Sequence, residues 1–365
     1  MNLSSMKLVS LRFRIKSLLS SLSLQIRRHF IDILITFAFV TFGGVASYLG
    51  AQLIAPVILK LYDVWFDSDT GRVFDQMTSA TNLSRLSVHP LFVLIAFPPV
   101  KLLEKVLHLN PITSVRIVIA AVAAFWLGTL FTTLRLLGCQ RFDAILFSLL
   151  GATSASAIFW FTVPETYSFG SLSILLALCF AALTENRLLS PLWYVAVSAL
   201  TLSITTTNWM FGILVTSVNH RWKQSIQITL NALVVVTLLW VVQKYKLTGS
   251  VFFLGEHGEG KYIMVFKSAA DYLTVVKSFF SNTLVMPAIQ LTESIELPEW
   301  PAMNTQSADP GSGSMWGLIA VGLWMALLGL GMWGFFSIKK HTKFRLVLGF
   351  SLLGQGYQFK PGQVV

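Results

Sequence analysis

Long apolar runs separated by short polar clusters make up most of this chain. Residues 33–59 contain no charged side chain, and they exceed the roughly 20 residues a helix needs to cross a bilayer. Runs of the same kind recur at 115–136, 144–161, 167–183, 191–207, 226–242 and 315–338, with a shorter one at 210–218. The pattern predicts an all-α membrane protein, a polytopic bundle of about eight spanning helices. Two other stretches behave differently. Residues 90–107 carry Pro98-Pro99 near their middle, followed by Lys101, Glu104 and Lys105. Two missing backbone donors are hard to replace in lipid, so an interfacial or re-entrant helix that does not cross is expected there. Residues 269–286 predict a second helix lying on the membrane surface. The last apolar run, 346–353, is too short to span, so 315–365 is expected to be a terminal hairpin that is incomplete.

Composition agrees with this class: 55% of the 365 residues are hydrophobic and only 12% are charged, far from the balance of a soluble domain. A net charge of +11 does not point to nucleic acid, because the basic residues fall in short clusters between apolar runs. Such clusters mark the cytoplasmic ends of spans. Residues 1–30 supply Lys7, Arg12, Arg14, Lys16, Arg27 and Arg28 with no acid, which reads as a cytoplasmic leader; an organellar transit peptide is the second reading of such a start. If residues 90–107 do not cross, Arg135 and Arg141, then Arg187, then His220, Arg221 and Lys223, then the basic residues of 339–345 all fall on the leader's side. The expected organisation is a multi-pass protein of the cell membrane with a cytoplasmic N terminus. Its transmembrane core is 31–245 with a first outer loop at 60–90, and an acid-rich outer segment follows at 246–314. The two cysteines, Cys139 and Cys179, indicate neither a disulfide framework nor a metal site.

Candidate chemistry concentrates on the outer side. Residues 63–90 hold four aspartates, at 63, 67, 69 and 75. Asp67-Ser68-Asp69 places two carboxylates around one small residue, a spacing that serves a base beside an acceptor hydroxyl or a divalent cation carrying a phosphate. The plain alternative is a solvated turn. Arg72 and Arg85 are candidates to clamp a lipid phosphate, or simply to meet headgroups. His89 precedes Pro90 and is a candidate phosphate donor or a helix cap. Glu165 follows Pro164 at a helix start, where it either favours the dipole or faces the aspartates across a cleft. Asn208 and Trp209 occupy the next outer turn, as substrate contacts or as an interfacial aromatic anchor. Glu256-His257-Gly258-Glu259 lacks zinc spacing.

A first span, an outer loop with the paired acids Asp67-Ser68-Asp69, and then an apolar helix led by His89-Pro90-Leu91-Phe92 resembles the integral-membrane glycosyltransferases of the C-type fold. That group includes protein mannosyltransferases and lipid A aminoarabinose transferases. The resemblance covers roughly residues 33–218 and is one of placement. It implies an inverting enzyme that takes a sugar from a polyprenyl-phosphate donor at the outer face. Asp69, Asp67 and Glu165 would be catalytic, and Arg72, Arg85, His89, Asn208 and Trp209 would bind substrate. It names no cofactor beyond a candidate divalent cation; partners are the lipid-linked donor and membrane lipids. A transporter or flippase of a lipid-linked intermediate, or a non-catalytic membrane subunit, fits the same sequence.

Overall fold

The computed structural model describes residues 29–61, 65–66, 68–80, 83–247, 249–254, 268–292, 302–304, 309–337 and 340–358. The leader, Asp63, Asp67 and the 256–259 cluster lie outside the described residues. The chain is an all-α polytopic membrane protein. Five helices are long and apolar enough to cross a membrane: α1 (His29–Gln52), α4 (Pro111–Leu136), α7 (Thr166–Leu183), α10 (Trp222–Lys246) and α12 (Met315–Ser337). Between them run α2 (Thr70–Thr78), α3 (Phe92–Val106), α5 (Arg141–Ala152), α6 (Ala155–Trp160), α8 (Pro191–Ile204), α9 (Trp209–Asn219) and α11 (Ala269–Asn282), and α13 (Thr342–Gln358) follows α12. The two short strands β1 (Gln290–Thr292) and β2 (Ala302–Asn304) pair antiparallel.

Helices α4 and α7 bury 56% of their most apolar stretch, whereas α1, α10 and α12 bury 11%, 22% and 6%, so the first pair forms the centre and the other three present apolar surface outward. In lipid, such surface costs nothing, and helices associate by close packing instead. The seam between α1 and α4 shows this. A Cβ on Gly43 would sit 3.1 Å from the Ala123 carbonyl oxygen, and one on Gly128 only 2.5 Å from Val40 Cγ2. Between α8 and α9 a Cβ on Gly212 would meet Ser198 Cα at 2.5 Å.

The ends of the bundle are tied by polar contacts. Where α1 finishes, Arg116 Nη2 donates to the Ile54 carbonyl at 2.7 Å. Where α1 starts, Asp32 accepts from Arg135 at 3.1 Å and from Arg141 at 2.7 Å. Helices α1 and α4 are therefore antiparallel. Glu185, just after α7, accepts the backbone N–H groups of Lys343 at 3.3 Å and Phe344 at 3.1 Å, which satisfies orphan donors in the first turn of α13. Phe344 and Val347 then pack among Ala177, Phe180, Phe211 and Val215.

Three elements differ from the sequence reading. The apolar run 144–161 is broken at Thr153-Ser154, because Ser154 Oγ caps α6 by accepting the Ala157 N–H at 3.2 Å. Serine competes with a helix interior and favours such a cap. The N–H groups of Ala155 and Ser156 go across to the carbonyls of Leu284 and Thr283. Pro98-Pro99 does not interrupt α3, which runs unbroken and buries Phe92, Val93, Ala96 and Val100; proline's fixed φ suits a helix, and core packing offsets the lost bonds. The terminal apolar stub belongs to a 17-residue helix.

Candidate functional site

The first loop folds against the end of α1 and presents α2 edge-on to the bundle. Thr70 Oγ1 donates to the carbonyls of Ile58 at 3.0 Å and Leu61 at 2.8 Å, and the Gly71 N–H to Leu61 at 2.8 Å. Nearly all of α2 is buried, including Arg72, only 3% exposed. A buried guanidinium must be paired. Its Nη2 donates to Asp69 Oδ2 at 2.8 Å and its Nη1 to Gln76 Oε1 at 3.3 Å; Gln76 in turn donates to the Ser84 carbonyl. Arg85 reaches the same Asp69 oxygen at 2.6 Å. Arg85 has φ of 58°, the left-handed region, which costs a non-glycine residue about 1 kcal/mol. Its carbonyl accepts from Val88 and His89, so this tight turn is bonded on both sides.

Glu165 comes from 96 residues away. Oε1 accepts the Asp69 N–H at 2.8 Å, and Oε2 accepts from the N–H and hydroxyl of Thr166, capping α7. Burial pushes its pKa up, opposed by the Asp69 amide and by the Arg72 charge. Both carboxylate oxygens are engaged by donors, so Glu165 is a positioning residue that fixes the backbone at Asp69.

His89, 8% exposed, contacts the Ile204 carbonyl at 3.0 Å and Thr205 Oγ1 at 3.2 Å through Nδ1. A carbonyl only accepts, so the proton sits on Nδ1 and Nε2 is left as an acceptor. Burial, and secondarily the Arg72 charge, push the His89 pKa down to about 4. Unfolding returns it to the ordinary value near 6.5, so between those values the unfolded chain binds more protons and stability rises with pH. The contribution is complete above pH 6.5 and is lost as pH falls towards 4, roughly 3 kcal/mol in all at 1.36 kcal/mol per unit. Raised Glu165 works in the opposite sense, so the comparison that isolates His89 is internal: a His89→Asn chain should show a smaller fall in melting temperature between pH 7 and 4.5 than the wild type.

The structure thus brings Asp69, Arg72, Arg85, Glu165 and His89 to one place at the end of the bundle where α1 finishes. It does not bring Asn208 or Trp209 into that network. Asn208 Nδ2 donates to the Gly170 carbonyl and Ser173 Oγ, and Trp209 Nε1 donates to Ser198 Oγ at 2.9 Å, so the polar atoms of both serve helix packing. Gln76 was missed in the sequence, although its place four residues after Arg72 on a helix is the signal. The second outer segment also takes part: the Phe66 N–H donates to the Met303 carbonyl at 2.7 Å, and the Phe66 ring meets Phe159 edge-on at 4.6 Å.

Among the described residues no group of three or more His, Cys, Asp or Glu side chains is placed to hold a metal ion. The carboxylate of Asp69 that would ligate a cation is taken by two guanidiniums, so these residues do not fit a resident one. Compared with protein-family models, curated proteins and solved structures, the chain matches none.

Proposed function

We propose that this protein is a membrane transferase that moves a sugar from a polyprenyl-phosphate donor to an acceptor at the face carrying Asp69. The observation that supports it is the convergence of Arg72 and Arg85 on one oxygen of Asp69, at the edge of an apolar bundle. Two guanidiniums facing one carboxylate carry an excess positive charge, the complement of a phosphate on a lipid. The Asp69 side chain keeps 20% of its surface exposed, which admits an acceptor hydroxyl.

In the reaction Asp69 takes the acceptor proton while the acceptor oxygen bonds to the anomeric carbon. The bond from that carbon to the phosphate oxygen breaks, the configuration inverts, and the polyprenyl phosphate leaves with its charge held by the two arginines. Neutral His89 adds no charge to compete for the phosphate. The opposite end of the bundle carries Arg135, Arg141, Arg187, Arg221, Lys223 and Lys343, so the positive-inside rule makes that end cytoplasmic and the Asp69 face external.

The test is transfer in proteoliposomes supplied with labelled polyprenyl-phosphate sugars. Arg85→Gln, which leaves the Arg72–Asp69 pair in place, is expected to lower transfer by about 10² or more, the worth of one donor to a developing charge. Unchanged transfer removes Arg85 from the site. Passage of the donor across the bilayer with no transfer by the folded wild type refutes the enzyme and favours a flippase.

A further inference from the structure

The start of α1 borders a cavity of about 530 Å³ at the end of the bundle opposite Asp69, within the size range of small-molecule sites. Its lining changes character with depth. His29, Asp32 and Arg135 line it at the edge of the bundle, and Phe37, Val40 and Phe131 line it further in. From Asp32 to Val40 the helix rises about 12 Å, the step from a headgroup layer into acyl chains. Phe37 is 68% exposed, so the apolar part is reachable from the side, through lipid.

The polar part carries an uncompensated positive charge. One carboxylate, Asp32, meets two guanidiniums, Arg135 and Arg141. Arg135 gives one terminal nitrogen to Asp32 and the other to the Cys139 carbonyl, while its Nε is buried without a partner. An excess cation and an unfilled donor beside an apolar wall call for an anionic acceptor with a hydrocarbon tail. The residues before α1 cannot supply it, since positions 1–28 hold six basic residues and no acid.

We propose that this cavity binds one anionic phospholipid, its phosphodiester held by Arg135 and Arg141 and the first part of an acyl chain lying along Phe37 and Val40. Such basic pockets between spanning helices are the expected seat of acidic headgroups. The bound lipid would fill the space between α1 and α4 at the end where Asp32 holds them together. Binding here is independent of the chemistry at Asp69.

The experiment is native mass spectrometry of the purified full chain with phosphatidylglycerol or phosphatidylcholine, with melting temperatures measured in parallel. Expected is one phosphatidylglycerol retained per chain, with roughly fivefold preference over phosphatidylcholine, the equivalent of about 1 kcal/mol for one basic side chain near an anionic surface. Arg141→Gln removes the excess charge and leaves Asp32 paired with Arg135, so the preference should vanish; Arg141→Lys should retain it. Equal retention of the two lipids by the wild type overturns the proposal, whether or not the variants fold. So does an Arg141→Gln chain that keeps the wild-type preference. Glycerol 3-phosphate alone should raise no melting temperature, and protection by it equal to that of the lipid overturns the assignment to a phospholipid.

Discussion

Replacing Asp69 by asparagine is expected to abolish transfer and to destabilise the protein in the same step. The loss of a positioned base costs about 10² to 10⁴ in rate. The loss of charge strands the guanidinium of Arg72, which is 4% exposed in its side chain. Breaking a buried pair by removing one partner costs about 3 to 5 kcal/mol, and the partial exposure of Asp69 brings the expected value to about 2 to 3 kcal/mol. The two effects separate in a double variant. Asp69→Leu with Arg72→Leu removes both charges, so it should recover much of the stability lost by Asp69→Leu alone and none of the transfer. Equilibrium unfolding of the single and double variants in detergent reads the first, and the proteoliposome assay the second. A double variant no more stable than the single would mean that Arg72 is held by something other than Asp69.

Gly71→Val should be the most damaging change outside the charged residues. A Cβ at Gly71 would lie 2.8 Å from the Lys60 carbonyl oxygen, 2.9 Å from the Lys60 carbonyl carbon and 3.0 Å from the Leu61 oxygen, all backbone. Backbone cannot swing aside as a side chain does, so α2 must move outward and lose the Gly71 N–H bond to Leu61. A cost of about 3 kcal/mol is expected, at the top of the overpacking range, with transfer falling because Asp69 and Arg72 move with the helix. Gly322→Ala is the control: nothing lies within 4 Å of its Cβ, and an effect within about 0.5 kcal/mol is expected there. Equal melting temperatures for Gly71→Val and the wild type would show that α2 does not rest on residues 60–61.

The class of fold was legible because membrane helices announce themselves by length and apolarity, without reference to their partners. What was not legible depended on partners. Ser154 looks like any small polar residue within a span until its hydroxyl is seen to cap α6. Pro98-Pro99 reads as a break because sequence alone does not show the core side chains around it. Asp32 stands at the start of an apolar run, where it passes for a flanking charge, and only the arrival of Arg135 and Arg141 from more than a hundred residues on makes it an anchor. At the candidate site the sequence picked out Asp69, Arg72, Arg85, His89 and Glu165 by residue type, but their mutual pairing lay beyond it. Asn208 and Trp209 were singled out by the same argument from position, and the hydrogen bonds of both turn into the helix bundle.

The bond from the Asp69 amide to Glu165 has a consequence for biogenesis. It closes a loop of 96 residues, so the ribosome must add α3 to α6 before the carboxylate that fixes Asp69 exists. At about 5 to 20 residues per second, the interval is roughly 5 to 20 seconds, during which Arg72 and Asp69 must wait beside the membrane without their later neighbour. The first loop is therefore made early and completed late, and a chain stalled before α7 would carry every charge of the pair while lacking the residue that orients it.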